Sequence, residues 1–190
     1  MRDPGIGRVL LASLHQGIAD ILPTRLGFYE SWLHAEGLRD GTIGLAPLYA
    51  VLSFLRQEGG AYATITTSAG DYAAEWTVQG MSAFERSFIR AAPNWLRRRL
   101  VLRLAARLVR ATYRRSRLAV RLRKNVAMLD LRESVFCDVR EPVGHALCGF
   151  YVAAFGRLLA LFNVPAKIDV TSCRGMGGHT CAMTVTIEQG

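Results

Sequence analysis

Four cysteines are the residues of this sequence whose type and spacing point most directly to chemistry. They are Cys137, Cys148, Cys173 and Cys181, all in the C-terminal third of the 190-residue chain. Cys173 and Cys181 enclose seven residues, of which three are glycines. A loop so rich in glycine has few side chains with which to fill a core, so a bound metal ion is the simplest way to hold its two ends together.

Thiolate ligands suit zinc, copper(I) and iron–sulfur clusters, and a tetrahedral sulfur-rich site most often holds zinc. An iron–sulfur cluster is the less favoured alternative, because its common cysteine spacings are absent. The sequence also contains no C-x-x-C pair, the usual signature of zinc ribbons and thioredoxins. Buried inert thiols and redox-active thiols are the alternatives to a metal site.

A zinc site of this kind needs four ligands. Three of them are expected to be Cys148, Cys173 and Cys181. The candidates for the fourth are Cys137, Asp169, His145, His179 and a solvent molecule. With Cys137 the site would be all-cysteine and closed, and therefore structural.

The expected cellular compartment favours metal ligands over disulfides. The N-terminal residues show no signal peptide with a cleavage site of small residues, and no run of about 18 uncharged apolar residues predicts a membrane span. We therefore expect a cytoplasmic protein, or one bound peripherally at the inner face of the membrane. In that reducing environment clustered cysteines are more often metal ligands or redox-active than disulfide-bonded.

The elements predicted around the cysteines are a helix and a β-hairpin. Pro142 opens a helical segment that runs to about Phe162 and carries Cys148. A short strand over residues 167–171 precedes the glycine-rich loop. Residues 182–188 alternate between apolar and polar side chains, as a strand with one buried face does. The loop is therefore predicted to be the tip of a hairpin, with Cys148 on the preceding helix.

Residues 1–124 are predicted to be mostly helical, and residues 125–190 to form the metal-binding region. Apolar residues at helical spacing indicate helices over residues 8–22 and 45–57, the second entered through a turn at residues 40–42. Two alanine-rich runs within residues 61–78 predict a β-hairpin. Together these elements indicate one α/β (α+β) domain over residues 1–190, in which helices pack on an antiparallel sheet.

Residues 95–124 have the most unusual composition, with eleven arginines, Lys124 and no acidic residue. The net charge of +9 arises here, because the basic residues outside this segment are fewer than the 15 acidic residues of the chain. Arginines at steps of three or four residues predict one basic helix over 95–124 with a charged stripe. The stripe consists of Arg99, Arg103, Arg107, Arg110, Arg114, Arg117 and Arg121.

Like charges at this spacing repel, so the stripe suggests an anionic partner, with a solvated basic face as the alternative. Acidic lipid headgroups and an acidic protein are the favoured partners. Nucleic acid is disfavoured, because no helix-turn-helix signature and no interleaved aromatic residues are present.

The order of a helix with Cys148, a short strand and the Cys173–Cys181 loop before residues 183–187 resembles the 4-vinyl reductase domain family. Members occur in bacteriochlorophyll biosynthesis and as sensor halves of aromatic-responsive bacterial regulators. Their fold is similar to that of the Golgi-transport and haem–nitric-oxide ligand-binding group. The resemblance implies zinc held by the three cysteines. The family's glutamate ligand corresponds to Val170 here, so Asp169 or Cys137 would replace it.

The same resemblance implies an apolar pocket beside the metal hairpin, for a tetrapyrrole, an aromatic compound or an acyl chain. The expected lining is Trp76, Phe136, Phe150, Tyr151 and Phe155, each of which could otherwise be core. The function implied is a ligand-binding protein with a structural zinc, acting through a partner or as a homodimer, and an accessory factor of bacteriochlorophyll biosynthesis.

Two other functions are weighed against this one. The first is an 8-vinyl reductase, an oxidoreductase that would need an external electron donor, because the sequence has no Gly-x-Gly-x-x-Gly after a strand and no flavin signature. No catalytic residue can be named for it. The second is a scaffold that docks on a membrane or an acidic protein through the arginine stripe.

Overall fold

Seven α-helices and a four-stranded antiparallel sheet form the part of the chain that this computed structural model describes, residues 5–33 and 44–188. The helices are α1 (Arg8–Ile21), α2 (Leu26–Leu33), α3 (Leu45–Gln57), α4 (Gly60–Gln79), α5 (Ala83–Ala91), α6 (Asn94–Thr112) and α7 (Gly149–Leu161). The strands are β1 (Arg117–Arg123), β2 (Val126–Arg132), β3 (Ala166–Ser172) and β4 (Cys181–Ile187).

This mixed α/β architecture confirms the predicted fold class. The helices predicted over residues 8–22 and 45–57 are confirmed as α1 and α3, and the closing strand predicted over residues 182–188 is confirmed as β4. The turn predicted at residues 40–42 lies outside the described residues.

The sheet has the order β1-β2-β4-β3, and each neighbouring pair is antiparallel. Its two central strands bury one face, on which Ala127, Leu129, Met183 and Val185 are at most 1% exposed. Helix α6 packs against β1 and helix α7 against β3. Helix α4 packs in turn against α1 and α7. The main core therefore lies between the sheet and the helices that cover its buried face.

The β-hairpin predicted within residues 61–78 is wrong, because these residues form the single helix α4. The predicted turn lies in the middle of this helix, where Ala69 and Gly70 are buried. A Cβ atom on Gly70 would lie 2.2 Å from the carbonyl oxygen of Phe150. Small residues therefore allow α4 to lie very close to α7, and this tertiary contact outweighs the strand preference of the threonine and tyrosine residues.

The basic helix predicted over residues 95–124 is wrong in its second half. Helix α6 ends at Thr112, and strand β1 begins at Arg117. Leu118, Val120 and Leu122 alternate with exposed residues, which is the period of a strand, and they pair with β2 through a tight turn. The arginines keep their spacing of three or four residues after the apolar residues change from the helical to the strand period. The arginine pattern therefore predicted a helix beyond its actual end.

The helix predicted from Pro142 is also too long, since α7 begins at Gly149 with Cys148 as its N-cap. The residues before it are irregular because their backbone hydrogen bonds go elsewhere. The amide of Val143 donates to the carbonyl oxygen of Gly175 in the glycine-rich loop, at 2.8 Å. This bond ties the segment that precedes α7 to the hairpin that follows it.

Candidate metal centre

The four cysteines come together from four separate segments of the chain. Cys137 ends a short 3₁₀ helix after β2, Cys148 caps α7, Cys173 follows β3, and Cys181 is the first residue of β4. All four are at most 2% exposed. Their sulfur atoms lie within 4.8 Å of one another. Residues far apart in sequence thus form one compact group of thiols.

The distances between the sulfurs suit a single tetrahedral ion. Cys148 Sγ lies 3.3 Å from Cys173 Sγ, and Cys137 Sγ lies 3.5 and 3.6 Å from Cys148 Sγ and Cys173 Sγ. None of the four forms a disulfide. Zinc–sulfur bonds of about 2.3 Å in a tetrahedron place the sulfurs about 3.8 Å apart. These three sulfur pairs therefore lie within about 0.5 Å of the separation that a zinc ion would require.

The glycine-rich loop is held by its own backbone as well as by the cysteines. The amides of Met176 and Gly178 both donate to the carbonyl oxygen of Cys173, at 3.0 and 3.1 Å. Gly177 adopts φ +91°, a left-handed conformation that costs glycine little. This tight turn brings Cys173 and Cys181 to the same side of the loop.

Two backbone amides donate directly to cysteine sulfurs. Leu147 N donates to Cys173 Sγ and Arg174 N donates to Cys181 Sγ, both at 3.4 Å. A hydrogen bond to a thiolate stabilises its charge, as outer hydrogen bonds do around bound metals. Sequence reasoning did not identify these donors, although both lie next to a cysteine in the chain.

The thiols also influence each other's protonation. Hydrogen bonds from Cys137 and the backbone amide lower the pKa of Cys181 to about 3 and that of Cys173 to about 6. The pKa of Cys137 is raised, because its proton is shared with the other three sulfurs and the thiol is buried. Hydrogen bonds within the group therefore favour deprotonation of Cys173 and Cys181 over that of Cys137 and Cys148.

A tyrosine missed at the sequence level lies near this group. The hydroxyl of Tyr62 on α4 is buried and has no hydrogen-bond partner among the described residues. Burial raises the pKa of Tyr62, Arg56 opposes the rise, and the neighbouring Cys137 and Cys148 add to it. Tyr62 lies within an alanine-rich segment, and nothing in that segment predicts that it is close to the cysteines.

The other candidate metal ligands do not join the cysteines. Asp169 lies on β3 and forms an ion pair with Lys167 at 3.1 Å, with its side chain 51% exposed. His145 and His179 are both exposed and are not part of the group. Of the candidates for the fourth ligand, the structure therefore brings only Cys137 to the other three cysteines.

The five predicted ligand-binding aromatic residues all make ring–ring contacts. Phe136 stacks on Phe150 with ring centroids 4.7 Å apart, and Tyr151 meets both rings edge-on. Phe155 adjoins Tyr151, and all four are at most 1% exposed. Trp76 is half-buried and stacks on Tyr72, at 5.6 Å. The structure places these rings in packing contacts.

An open cleft of about 710 Å³ lies between α3 and the segment that follows Cys137. Its lining includes Tyr49 and Arg56 from α3, and Asp138 and Arg140 from the segment after Cys137. Asp138 accepts hydrogen bonds from the Tyr49 hydroxyl at 2.8 Å and from Arg174 at 3.0 Å. This network connects α3 to both cysteine-bearing loops.

The seven arginines of the predicted stripe are divided among three elements. Arg99, Arg103, Arg107 and Arg110 are exposed along α6, and Arg114 follows its end. Arg117 and Arg121 lie on the exposed face of β1. No helix in the described part of the chain is long and apolar enough to cross a membrane.

Solved structures similar to this chain are H-NOX proteins. The Fe(II) unliganded H-NOX protein from K. algicida aligns with a TM-score of 0.57 and 12% identity over 97% of each chain. A point mutant of the same protein aligns with a TM-score of 0.60, 10% identity and the same coverage. An H-NOX protein from S. oneidensis in the Fe(II)NO ligation state aligns with a TM-score of 0.53 and 11% identity, over 96% of this chain and 99% of that one.

At these identities the likeness establishes the fold alone, which is that of the haem–nitric-oxide ligand-binding group. No family model and no curated protein matches the sequence. The resemblance to the 4-vinyl reductase domain family is therefore wrong, since the neighbours that align along nearly the whole chain are H-NOX proteins. The vinyl reductase activity and the role in bacteriochlorophyll biosynthesis that it implied have no support.

Proposed function

We propose that the four cysteines bind one zinc ion and that this ion is structural. The observation that carries the proposal is the meeting of four buried sulfurs, from four segments, within 4.8 Å. Packing alone does not explain why four buried thiols meet, because a single thiol packs equally well among apolar side chains. A shared metal ion does explain it. The proposed function of the centre is to stabilise the position of the C-terminal hairpin relative to α7 and the end of β2.

The geometry favours a single ion over an iron–sulfur cluster. A cluster places several iron and sulfide atoms between its thiolates, whereas these sulfurs leave room for one atom. Four thiolates also fill the coordination sphere of zinc, so no position remains for a catalytic water. A cleft of about 300 Å³ bordered by Cys173 and Met176 offers the ion a way in from the surface.

Metal analysis of protein purified without added metal tests the proposal. We expect about one zinc per chain and, after exchange for cobalt, the absorption bands of a tetrathiolate site. Cys181→Ser should lower the zinc affinity by more than the roughly 10–100-fold that the loss of an outer hydrogen bond costs. Asp169→Asn is the matched control and should keep full metal content.

Two outcomes would contradict this assignment. Protein that contains no metal and does not bind added zinc would make the cysteines packing residues. Iron with charge-transfer bands and inorganic sulfide would make the centre a cluster.

Haem is the group that the H-NOX fold suggests, and the described residues do not fit it. A haem needs an axial ligand facing a buried cavity. His15 lies at the surface and contacts Glu30 at 2.8 Å, while His145 and His179 are exposed. His34 lies outside the described residues. Stacked aromatic side chains fill the core where an apolar pocket was expected, so we assign no haem chemistry to this chain.

We further propose that the cleft of about 710 Å³ binds a small anionic molecule. Arg56 lines it, and its Nε and Nη2 atoms are buried with no hydrogen-bond partner among the described residues. Buried guanidinium donors are costly to leave unpaired, so an acceptor is favoured here. The Tyr62 hydroxyl lies close enough for Arg56 to lower its pKa, but it is neutral and does not balance the guanidinium charge. The carboxylate of Asp138 bonds to Tyr49 and Arg174, and Glu141 is a second acidic residue in the lining.

Thermal unfolding with increasing benzoate or inorganic phosphate tests this second proposal. A ligand that binds the folded state raises the melting temperature with its concentration. We expect the rise in the natural protein, its loss in Arg56→Gln, and its persistence in Arg132→Gln, which removes an exposed arginine outside the cleft. An equal rise in Arg56→Gln would show that the anions bind elsewhere.

A further inference from the structure

Three large aromatic side chains are exposed on neighbouring helices. Phe84 and Phe88 on α5 are 79% and 52% exposed, and Trp95 at the start of α6 is 61% exposed. The two phenylalanine rings stack with centroids 6.4 Å apart. The fold does not require these rings at the surface, since α5 packs inward through Ile89. Adjacent exposed aromatic side chains mark an interaction surface.

The surface around these rings is strongly basic. Residues 82–129 contain 14 arginines and lysines but only one acidic residue, Glu85. Glu85 approaches Arg107 on α6 at 3.8 Å, which places α5 beside the exposed arginines of α6. Arg99 lies over the ring of Trp95, 5.8 Å from its centroid. Trp95, Arg99, Arg103 and Arg107 follow one another at steps of four residues, so they share a face of α6 that meets α5 at Glu85.

An apolar groove continues this surface between α6 and the edge strand β1. It has a volume of about 340 Å³, with a floor that includes Leu102, Leu118 and Val120. Arg99 and Arg103 stand beside it. Arg99 thus contacts the Trp95 ring and also lines an aliphatic groove. A partner that matches both features must combine anionic groups with aliphatic chains.

We propose that this surface docks on a bilayer that contains anionic lipids. Phe84, Phe88 and Trp95 enter the boundary between headgroups and acyl chains, and the arginines of α6 contact lipid phosphates. Amphipathic helices with Phe or Trp on one face and Arg on the other bind membranes in this way. The site is independent of the cysteine centre and of the anion cleft.

The charge alone would also suit nucleic acid, but the apolar features favour lipid. Duplex DNA presents phosphates without an aliphatic part for the groove. Single strands stack their bases on open aromatic faces. Here Phe84 and Phe88 stack on each other, and Arg99 covers Trp95. Acyl chains can contact an aromatic ring on its edge or its face, so they do not require an open ring face.

Flotation with vesicles tests the proposal on the full chain. The natural protein should float with vesicles of two parts phosphatidylcholine to one part phosphatidylglycerol, and not with phosphatidylcholine alone. High salt should weaken the binding, because it screens the charges. Each arginine near an anionic surface contributes roughly fivefold in affinity, so Arg99→Gln/Arg103→Gln/Arg107→Gln should weaken binding about 100-fold.

The aromatic variant distinguishes lipid insertion from charge attraction alone. Phe84→Ala/Phe88→Ala/Trp95→Ala keeps every positive charge and should still lose most binding to the anionic vesicles. Matched controls should bind normally: Met176→Ala removes an exposed apolar side chain elsewhere, and Arg25→Gln/Arg132→Gln/Lys167→Gln removes three charges elsewhere. Unchanged zinc content and melting temperature show that each variant is folded.

Fluorescence and competition complete the test. Vesicles should shift the tryptophan emission to shorter wavelength in the natural protein but not in Trp95→Phe, which retains Trp32 and Trp76. Full binding by the aromatic variant, or equal losses in the control variants, would overturn the proposal. Displacement from vesicles by a single-stranded oligonucleotide at a tenth of the lipid concentration would assign the surface to nucleic acid instead.

Discussion

Single backbone amides explain much of the chemical character of the cysteine group. Leu147 N and Arg174 N each direct a proton to a sulfur, so the charge of two thiolates is stabilised before any metal binds. Both donors are backbone amides, so the two hydrogen bonds do not depend directly on side-chain identity. They depend on the position of the loop backbone, which the buried Leu147 side chain and the Arg174–Asp138 hydrogen bond help to fix.

Asp71 on α4 provides a pH-dependent prediction at the residue scale. Burial raises its pKa, and the charge of Arg157 only partly opposes the rise. Arg157 is engaged with Glu75, to which its Nε donates at 2.9 Å. A carboxyl group whose pKa is higher in the folded than in the unfolded state stabilises the fold at low pH, and this stabilisation is lost as the pH rises.

Asp71→Asn removes this titration. We expect the variant to melt at a higher temperature than the natural protein at pH 7, because no buried carboxylate has to ionise. The difference should shrink as the pH falls toward about 3.9, the unfolded value for Asp. Thermal unfolding across this range measures it, with Asp169→Asn, an exposed carboxylate, as the control. A difference that is independent of pH would contradict the assigned cause.

At the scale of secondary structure, sequence patterns predicted the elements that depend on local periodicity. The apolar spacing of α1 and the alternation of β4 follow directly from one buried face in each. Helix α4 was misread because its threonines and tyrosines favour strands, while its helical state depends on packing partners distant in the chain. Arg114, Arg117 and Arg121 continue the spacing of α6 beyond its end, so charge concealed the change from helix to strand.

The candidate metal centre, like the secondary structure, could be predicted only in part. The residue types alone, four cysteines and a glycine-rich loop, indicate a set of metal ligands. The meeting of Cys137 with the other three depends on how the segment after β2 crosses the hairpin, which no local pattern encodes. The predicted lining of an apolar pocket rests on aromatic residue type alone, and aromatic side chains serve a core and a pocket equally well.

The close contact between α4 and α7 gives a prediction at the element scale. A Cβ atom at position 70 would lie 2.2 Å from the carbonyl oxygen of Phe150 and 2.9 Å from the Cβ of Ala153. Backbone atoms cannot move aside as a flexible side chain can, so Gly70→Ala must separate the two helices. We expect it to lower the free energy of unfolding by about 1–3 kcal/mol, the usual cost of overpacking.

Gly60→Ala is the matched control, because it lies in the same helix and its added Cβ would meet nothing within 4 Å. It should be neutral or stabilising by up to about 1 kcal/mol, since alanine favours the helix more than glycine does. Chemical denaturation measures both free energies. Equal effects of the two substitutions would mean that α4 and α7 are not packed as closely as described.

For the whole molecule, the proposed zinc ion joins the irregular segment between Cys137 and α7 to the glycine-rich loop. Strand pairing already connects β2 with β4, whereas individual hydrogen bonds connect the irregular segment to the loop, among them Val143–Gly175 and Arg174–Asp138. A ligand that binds only the folded state stabilises it by about 4.1 kcal/mol at a thousandfold excess over its dissociation constant. For a chain of this size, that corresponds to about 8–16 °C in melting temperature.

Removal of the metal should therefore lower the melting temperature by about this amount, and added zinc should restore it in proportion to the logarithm of its concentration. Hydrogen exchange should accelerate locally, over residues 134–148 and 173–182, while α1 keeps its protection, because it packs on α2, α4 and α6. Magnesium is the control and should restore nothing, since it prefers oxygen ligands. If exchange accelerated uniformly across the chain, the ion would stabilise the whole fold and not only the hairpin and the segment before α7. That result would contradict the local role proposed for the cysteine group.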